Sequence, residues 1–175
     1  MSNATANLPT ETIGGSGPFV FDLPVDGGSS IFKGALVSQL TATGMVVPYS
    51  TASSGPCIGV AQHASNNTSG ADGATRVQVE TKRAYAFTNG SAGDAFSEAS
   101  LIGSVVYGSD DHTVADNSNS AARKAVGFFL GMEVDGKVRV WIDPTLAALV
   151  DKLATLTDAP ATADALRDNI VSSLG

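Results

Sequence analysis

Residues Gly59–Glu80 read GVAQHASNNTSGADGATRVQVE, and this stretch decides the fold. A small-residue apolar run enters a soft polar loop, Ser65 to Gly73, built of Asn, Ser, Thr, Gly, Asp and one Ala. A strictly alternating run then returns. Val77 and Val79 interleave with Arg76, Gln78 and Glu80, the period of a strand with one dry and one wet face. The loop carries no Lys, Arg or Cys. Its polar residues suit turning, so the stretch reads as scaffold that binds with its surface.

The pattern repeats on both sides. Ala35–Leu40 and Met45–Tyr49 flank the turn Thr41–Gly44 as a hairpin, and Cys57–Ala64 is a further strand. Arg76–Thr88 is long enough for one bent strand or two. Leu101–Tyr107 and His112–Ala115 follow. Ala125–Val134 and Lys137–Ile142 form a last hairpin about Asp135-Gly136, the strongest turn signal in the chain. Eight to ten short strands with a turn every ten or so residues predict a mainly β fold, a small antiparallel barrel or sandwich. Upstream, Phe19, Phe21 and Leu23 alternate with Val20 and Asp22 between Pro18 and Pro24, which suits a sheet edge able to pair with another chain.

Three segments are expected. Residues 1–17 form a polar arm whose few apolar residues include Leu8 and Ile13. It is expected to be disordered alone, either as a frayed terminus or as an arm that orders on a partner. Residues 18–143 form the β body. Residues 144–175 hold two short helices. Leu146, Leu149, Val150, Leu153 and Leu156 make one amphipathic stripe, Thr157–Ala161 breaks it, and Leu166, Ile170, Val171 and Leu174 make a second. Neither helix is long enough to stand alone, so each must pack on the barrel, on the other, or on a neighbouring subunit.

Composition narrows the function. The 175 residues are 43% hydrophobic and 15% charged, with a net charge of −7, so a core is affordable and phosphate backbones are repelled. No nucleic-acid partner is expected. No apolar run approaches the ~20 residues of a membrane span, so no membrane partner is expected either. The polar N-terminus lacks a basic start and an apolar run, which predicts synthesis in a cytosol without a secretion signal. The single Cys57 excludes an internal disulfide.

Chemistry is sparse. Cys57 has no base at motif spacing, and its neighbours Pro56, Ile58 and Val60 suggest a buried thiol. Asp110 and Asp111 precede His112, but a metal site needs three or four convergent ligands and no other residue points there. Gly14-Gly15-Ser16-Gly17 precedes a strand rather than a helix, so it is no phosphate loop. No catalytic residue and no cofactor is expected. Trp141, on the opposite face of its strand from Val140 and Ile142, either anchors a surface contact or packs under the C-terminal helices.

A run of weak motifs carries a likeness. In order they are Lys33-Gly34-Ala35-Leu36-Val37, Val46-Val47-Pro48, Ile58-Gly59-Val60-Ala61, Gly70-Ala71-Asp72-Gly73 and Val77-Gln78-Val79. Gly103-Ser104-Val105-Val106-Tyr107, Asp111-His112-Thr113-Val114, Ala125-Val126-Gly127 and Val138-Arg139-Val140-Trp141-Ile142 complete the series. From Ile31 to Asp143 the succession resembles tailed-bacteriophage capsid decoration, or cement, proteins. The resemblance implies a homotrimer at three-fold and quasi-three-fold positions on the outer surface of the head. Its partner would be the major capsid protein, and its role would be to reinforce the shell against DNA pressure. The expected contact residues are Leu8, Ile13, Phe19, Phe21, Trp141, Leu146, Leu149 and Leu153. Two alternatives stand beside it: a tail-associated or receptor-binding β module that recognises a surface glycan, and a trimeric barrel hydrolase with its site between subunits.

Overall fold

The computed structural model describes residues 18–52 and 55–154. In chain order the strands are β1 (Phe19–Pro24), β2 (Ser30–Ile31), β3 (Leu36–Gln39), β4 (Val46–Pro48), β5 (Cys57–Ala61) and β6 (Ser65–Asn66). After them come β7 (Arg76–Thr81), β8 (Arg83–Asn89), β9 (Val105–Gly108), β10 (Thr113–Ala115), β11 (Ala125–Met132) and β12 (Val138–Ile142), then helix α1 (Pro144–Ala154). The mainly β expectation holds, and the barrel half of the choice is realised. A closed five-stranded barrel runs β10-β8-β12-β11-β9, and a five-stranded sheet beside it runs β1-β7-β5-β3-β4.

The sheet is itself nearly closed. Beyond β1 the chain turns so that Val25 bridges Val46 of β4, and the Asp26 amide donates to the Val46 carbonyl at 3.0 Å. The small β2–β6 pair seats Ile31 in the interior of this unit, with Val25, Ala35, Val37, Val46, Ala61, Val77 and Val79. The barrel has a second interior, which includes Phe87, Val106, Val114, Val126, Phe129, Val138, Val140 and Ile142. There the rings of Phe96 and Phe129 stack at 4.8 Å.

Strands β3 and β5 form a wall between the two interiors. Leu36, Cys57 and Val60 point into the barrel core, while Val37 and Ala61 point into the sheet core. Such strands are buried on both faces and read as near-continuous apolar runs, which is why Leu36-Val37 and Val60-Ala61 do not alternate. Gly59 is needed here for close approach: a Cβ at this position would lie 2.5 Å from the Glu80 carbonyl oxygen across the β5–β7 pairing.

The long segment Arg76–Thr88 proves to be two strands in different sheets. Lys82 divides them in a left-handed conformation, φ 56°, with its amide donating to the Ile142 carbonyl. The chain thus crosses from sheet to barrel within one residue. The segment Leu101–Tyr107 is a strand only from Val105; residues 101–104 are a turn.

Helix α1 begins where the composition changes. Pro144 takes the first helical position, where a missing N–H costs nothing. The Asp143 carboxylate caps it, accepting from the amides of Thr145 and Leu146 at 3.1 and 3.2 Å. Its packing differs from the sequence reading. The helix meets the barrel through Ala147, fully buried, and Asp151, whereas Leu146 and Leu153 remain 45% exposed. The second expected helix and the arm with Leu8 and Ile13 lie outside the described residues.

Candidate interaction surface

Each polar cluster of the fold is a place where chemistry could reside. Among the described residues one group of metal-ligating side chains converges: Asp110, Asp111 and His112, with ligand atoms within 4.8 Å of one another. It forms the turn between β9 and β10. Asp110 Oδ1 already accepts from the amides of His112 and Thr113 at 2.9 and 2.7 Å, which shapes the turn. His112 Nδ1 lies 2.8 Å from Asp111 Oδ1, and this contact raises the imidazole pKa above its ordinary value.

A second cluster bridges the sheet and the barrel. The Tyr85 hydroxyl donates to Glu80 Oε2 and Arg83 donates to Oε1 at 3.1 Å. Gln62 in turn donates to the Tyr85 oxygen at 3.0 Å and to the Val60 carbonyl at 3.2 Å. Burial first, and then the neighbouring carboxylate, push the Tyr85 phenol pKa up. Both carboxylate oxygens of the buried Glu80 are engaged, so the cluster acts as a clamp across the joint. A third cluster ties Arg123 to Asp94 at 2.7 Å and to Asn117 at 3.0 Å, which holds the Asp94 carboxyl below the usual carboxylate range.

Asn67 is a polar residue whose role the sequence hid. The loop Ser65–Gly73 reads as uniformly solvated, yet Asn67 is buried. Its amide nitrogen donates to the carbonyls of Val25, Asp26 and Ala71 at 2.9, 3.2 and 2.9 Å, which stitches the loop to the closure of the sheet.

The exposed apolar residues sit elsewhere. Leu101 is 77% exposed, Ile102 75%, and Val134 fully. These three share one end of the barrel, whereas Phe32, 67% exposed, follows β2 outside it. The Gly103 amide donates to the Phe129 carbonyl and the Phe129 amide to the Ser104 carbonyl, which ties the turn of residues 101–104 to β11. Val134 lies just past the end of β11, in the turn between β11 and β12. Charges around Val134 are neutralised locally, by Arg139–Glu133 at 2.8 Å and Lys137–Asp135 at 2.7 Å. An apolar end with internally paired charges has little to lose on losing water. One signal for it was present in the sequence: adjacent Leu101 and Ile102 cannot both face inward in a strand.

The predicted contact residues disperse over the surface. Phe19 and Phe21 are half-buried on β1, at the sheet edge as expected, where Lys82 Nζ lies 5.3 Å above the Phe19 ring. Trp141 stands outside the barrel, opposite Phe128 on β11 and Ala84 on β8, while Val140 and Ile142 fill the core. Leu146, Leu149 and Leu153 line the outward side of α1. No helix among the described residues is long and apolar enough to cross a membrane. In comparisons with known proteins, no family model and no curated protein matches this chain.

Proposed function

We propose that the chain is a non-enzymatic capsid decoration protein. It binds the outer surface of the mature phage head as a trimer at three-fold and quasi-three-fold positions and stabilises the shell against internal DNA pressure. The observation that carries the reading is the apolar barrel end of Leu101, Ile102 and Val134 on a doubly cored β body. A rigid body with a small dry end suits adhesion, because little ordering entropy is lost on docking. The major capsid protein is the proposed partner, and many weak contacts on one shell would hold through multivalency. The resemblance of residues 31–143 to cement proteins supplies the biological setting.

Purified protein added to expanded heads tests this directly. Bound copies should cosediment with heads and raise the temperature at which the heads rupture. The triple variant Leu101→Ser, Ile102→Ser, Val134→Ser should stay folded and lose at least tenfold in affinity. Wild-type protein that neither binds heads nor shifts their rupture temperature rejects the proposal. The aromatic pair Trp141–Phe128 outside the barrel favours a second reading, a glycan-recognising tail module. Binding to a glycan array, abolished by Trp141→Ala, would select it.

A further inference from the structure

Strand β1 is paired on one side only. It lies at the edge of the sheet β1-β7-β5-β3-β4 and meets β7 along its whole six-residue length in an unbroken register. Val25 bridges Val46 in parallel, so the residues before Val25 run past the start of β4. Among the described residues no strand lies along their outer side. Two bonds just beyond β1 fix which backbone groups face which way. The Val25 amide donates inward to the Thr75 carbonyl, and the Asp26 amide donates outward to the Val46 carbonyl, each at 3.0 Å. Backbone groups alternate along an antiparallel strand. Phe19, Phe21 and Leu23 therefore turn their amides and carbonyls to β7, while Val20 and Asp22 turn theirs to the open side. Pro24 belongs to the outward set, where a missing N–H removes no bond to β7.

This edge lacks the usual defences against pairing. No bulge interrupts it and no Lys projects from it. Its one charge, Asp22, is neutralised within the sheet, where Arg76 donates to the Asp22 carboxylate at 2.6 Å and also to the Asp22 carbonyl. Phe19, Val20, Phe21 and Leu23 are apolar and only half-buried. The prolines stand at the two ends, Pro18 and Pro24.

The order of residues along the edge identifies the occupant. Pro18-Phe19-Val20-Phe21-Asp22-Leu23-Pro24 is symmetric about Phe21: an outward-bonding residue on each side, then an apolar one, then a proline. Two copies laid antiparallel about a two-fold axis at Phe21 set Val20 opposite Asp22 of the second copy and Phe19 opposite Leu23 of the second copy. The outward amide and carbonyl of both Val20 and Asp22 then find partners. The ladder stops where Pro18 meets Pro24, since neither has an amide to give. Centring the pair on Asp22 would set two carboxylates opposite each other, which is destabilising. Centring it on Val20 would set Asp22 opposite Pro18 and leave the Asp22 carbonyl without an amide.

We propose that β1 is a self-pairing strand: two copies of this chain join edge to edge through it, antiparallel and centred on Phe21, so that their sheets become one. The contact makes no use of the barrel end of Leu101, Ile102 and Val134, and it stands whether or not the chain binds heads. Six residues of edge fall well under the ~20–30 residues per side of a standard interface. The pairing is therefore weak and concentration-dependent.

Oxidative trapping tests the register. Phe21 and its counterpart form a pair that is not hydrogen-bonded, with Cα atoms ~4.5 Å apart, within reach of a disulfide. Phe21→Cys should link two copies under mild oxidation at high micromolar concentration, and the buried Cys57 does not compete. Phe19→Cys, on the same face, lies more than ~13 Å from its counterpart and should stay unlinked. Sedimentation equilibrium tests the backbone bonds. Val20→Pro removes an outward amide and spares the bonds to β7, so it should keep the fold and weaken self-association at least tenfold. Val20→Ala keeps the amide and should weaken it less. Equal losses in these two variants would assign the contact to the side chain and overturn the proposal. Folded Phe21→Cys that stays unlinked, association undiminished by Val20→Pro, or wild-type copies that stay apart at millimolar concentration would each overturn it as well.

Discussion

The Asp151 carboxylate on α1 accepts a 2.9 Å hydrogen bond from the backbone amide of Ala125, the first residue of β11. This bond fixes which side of the helix meets the barrel. Asp151→Ala leaves a buried N–H unpaired and should cost about 1–3 kcal/mol in urea denaturation. Burial raises the Asp151 pKa. A carboxyl with a raised folded pKa contributes stability that is fully present below its ordinary pKa of about 4 and is lost as pH rises through the raised value. Asp151→Asn keeps an acceptor without a charge. It should therefore gain stability relative to the wild type between pH 4 and pH 7, and a difference independent of pH would refute this account.

Tyr49 joins distant parts of the chain. Its hydroxyl accepts from the Lys124 amide at 3.1 Å and donates to the Gly108 carbonyl at 3.1 Å, with its ring against Gly108, where a Cβ would lie 2.4 Å away. Tyr49→Phe should cost about 1–3 kcal/mol by orphaning the amide, and Gly108→Ala should be at least as damaging through displacement of the ring. Burial pushes the Tyr49 phenol up to about 12. Its contribution is present below the ordinary pKa of about 10 and is lost as pH climbs toward 12. Alkaline difference spectroscopy should show one phenol ionising in that late range, and this step should be missing from Tyr49→Phe.

Lys82 sets backbone strain against a side-chain contact. A left-handed conformation costs a non-glycine residue about 1–2 kcal/mol, while the ammonium above Phe19 returns about 0.5–1 kcal/mol. Lys82→Ala keeps the strain and loses the contact, so it should melt lower than the wild type. Lys82→Gly removes both and should melt above Lys82→Ala. The reverse order in calorimetry would show that the strain is absent.

His112 Nδ1 lies 2.8 Å from Asp111 Oδ1, and this contact raises the imidazole pKa. NMR titration should place its midpoint above that of an ordinary histidine, and Asp111→Asn should lower it. This stabilisation is fully present below the ordinary pKa near 6.5 and fades as pH rises through the raised value. An unmoved midpoint in Asp111→Asn would assign the shift elsewhere.

The parts of the fold written in period-2 alternation were legible in the sequence. Val77 and Val79, Val138 with Val140 and Ile142, and the turn Asp135-Gly136 stand where their pattern puts them. The break at Lys82 was not legible, because no Gly or Pro marks it; it follows from two sheets meeting there. The orientation of α1 was hidden for a similar reason. Its leucine stripe is the obvious buried face, yet one backbone amide on β11 and the small Ala147 decide the docking. Asn67 reads as loop polarity because its partners are backbone carbonyls, which have no sequence signature. The apolar barrel end was half legible: Leu101 and Ile102 break alternation, but only the antiparallel pairing of β9 with β11 puts the turn holding Val134 at the same end of the barrel.

The wall of β3 and β5 has a thermodynamic consequence. Leu36 and Val37 are neighbours in sequence but belong to different cores, as do Val60 and Ala61. Neither core can melt without exposing the back of the other, so the two halves form a single cooperative unit. Heating should give one calorimetric peak whose van't Hoff and calorimetric enthalpies agree. The Cys57 thiol, fully buried in that wall and pushed up to about 12 by burial, would react with a thiol reagent only when the whole molecule opens. A body of this kind yields all at once or not at all.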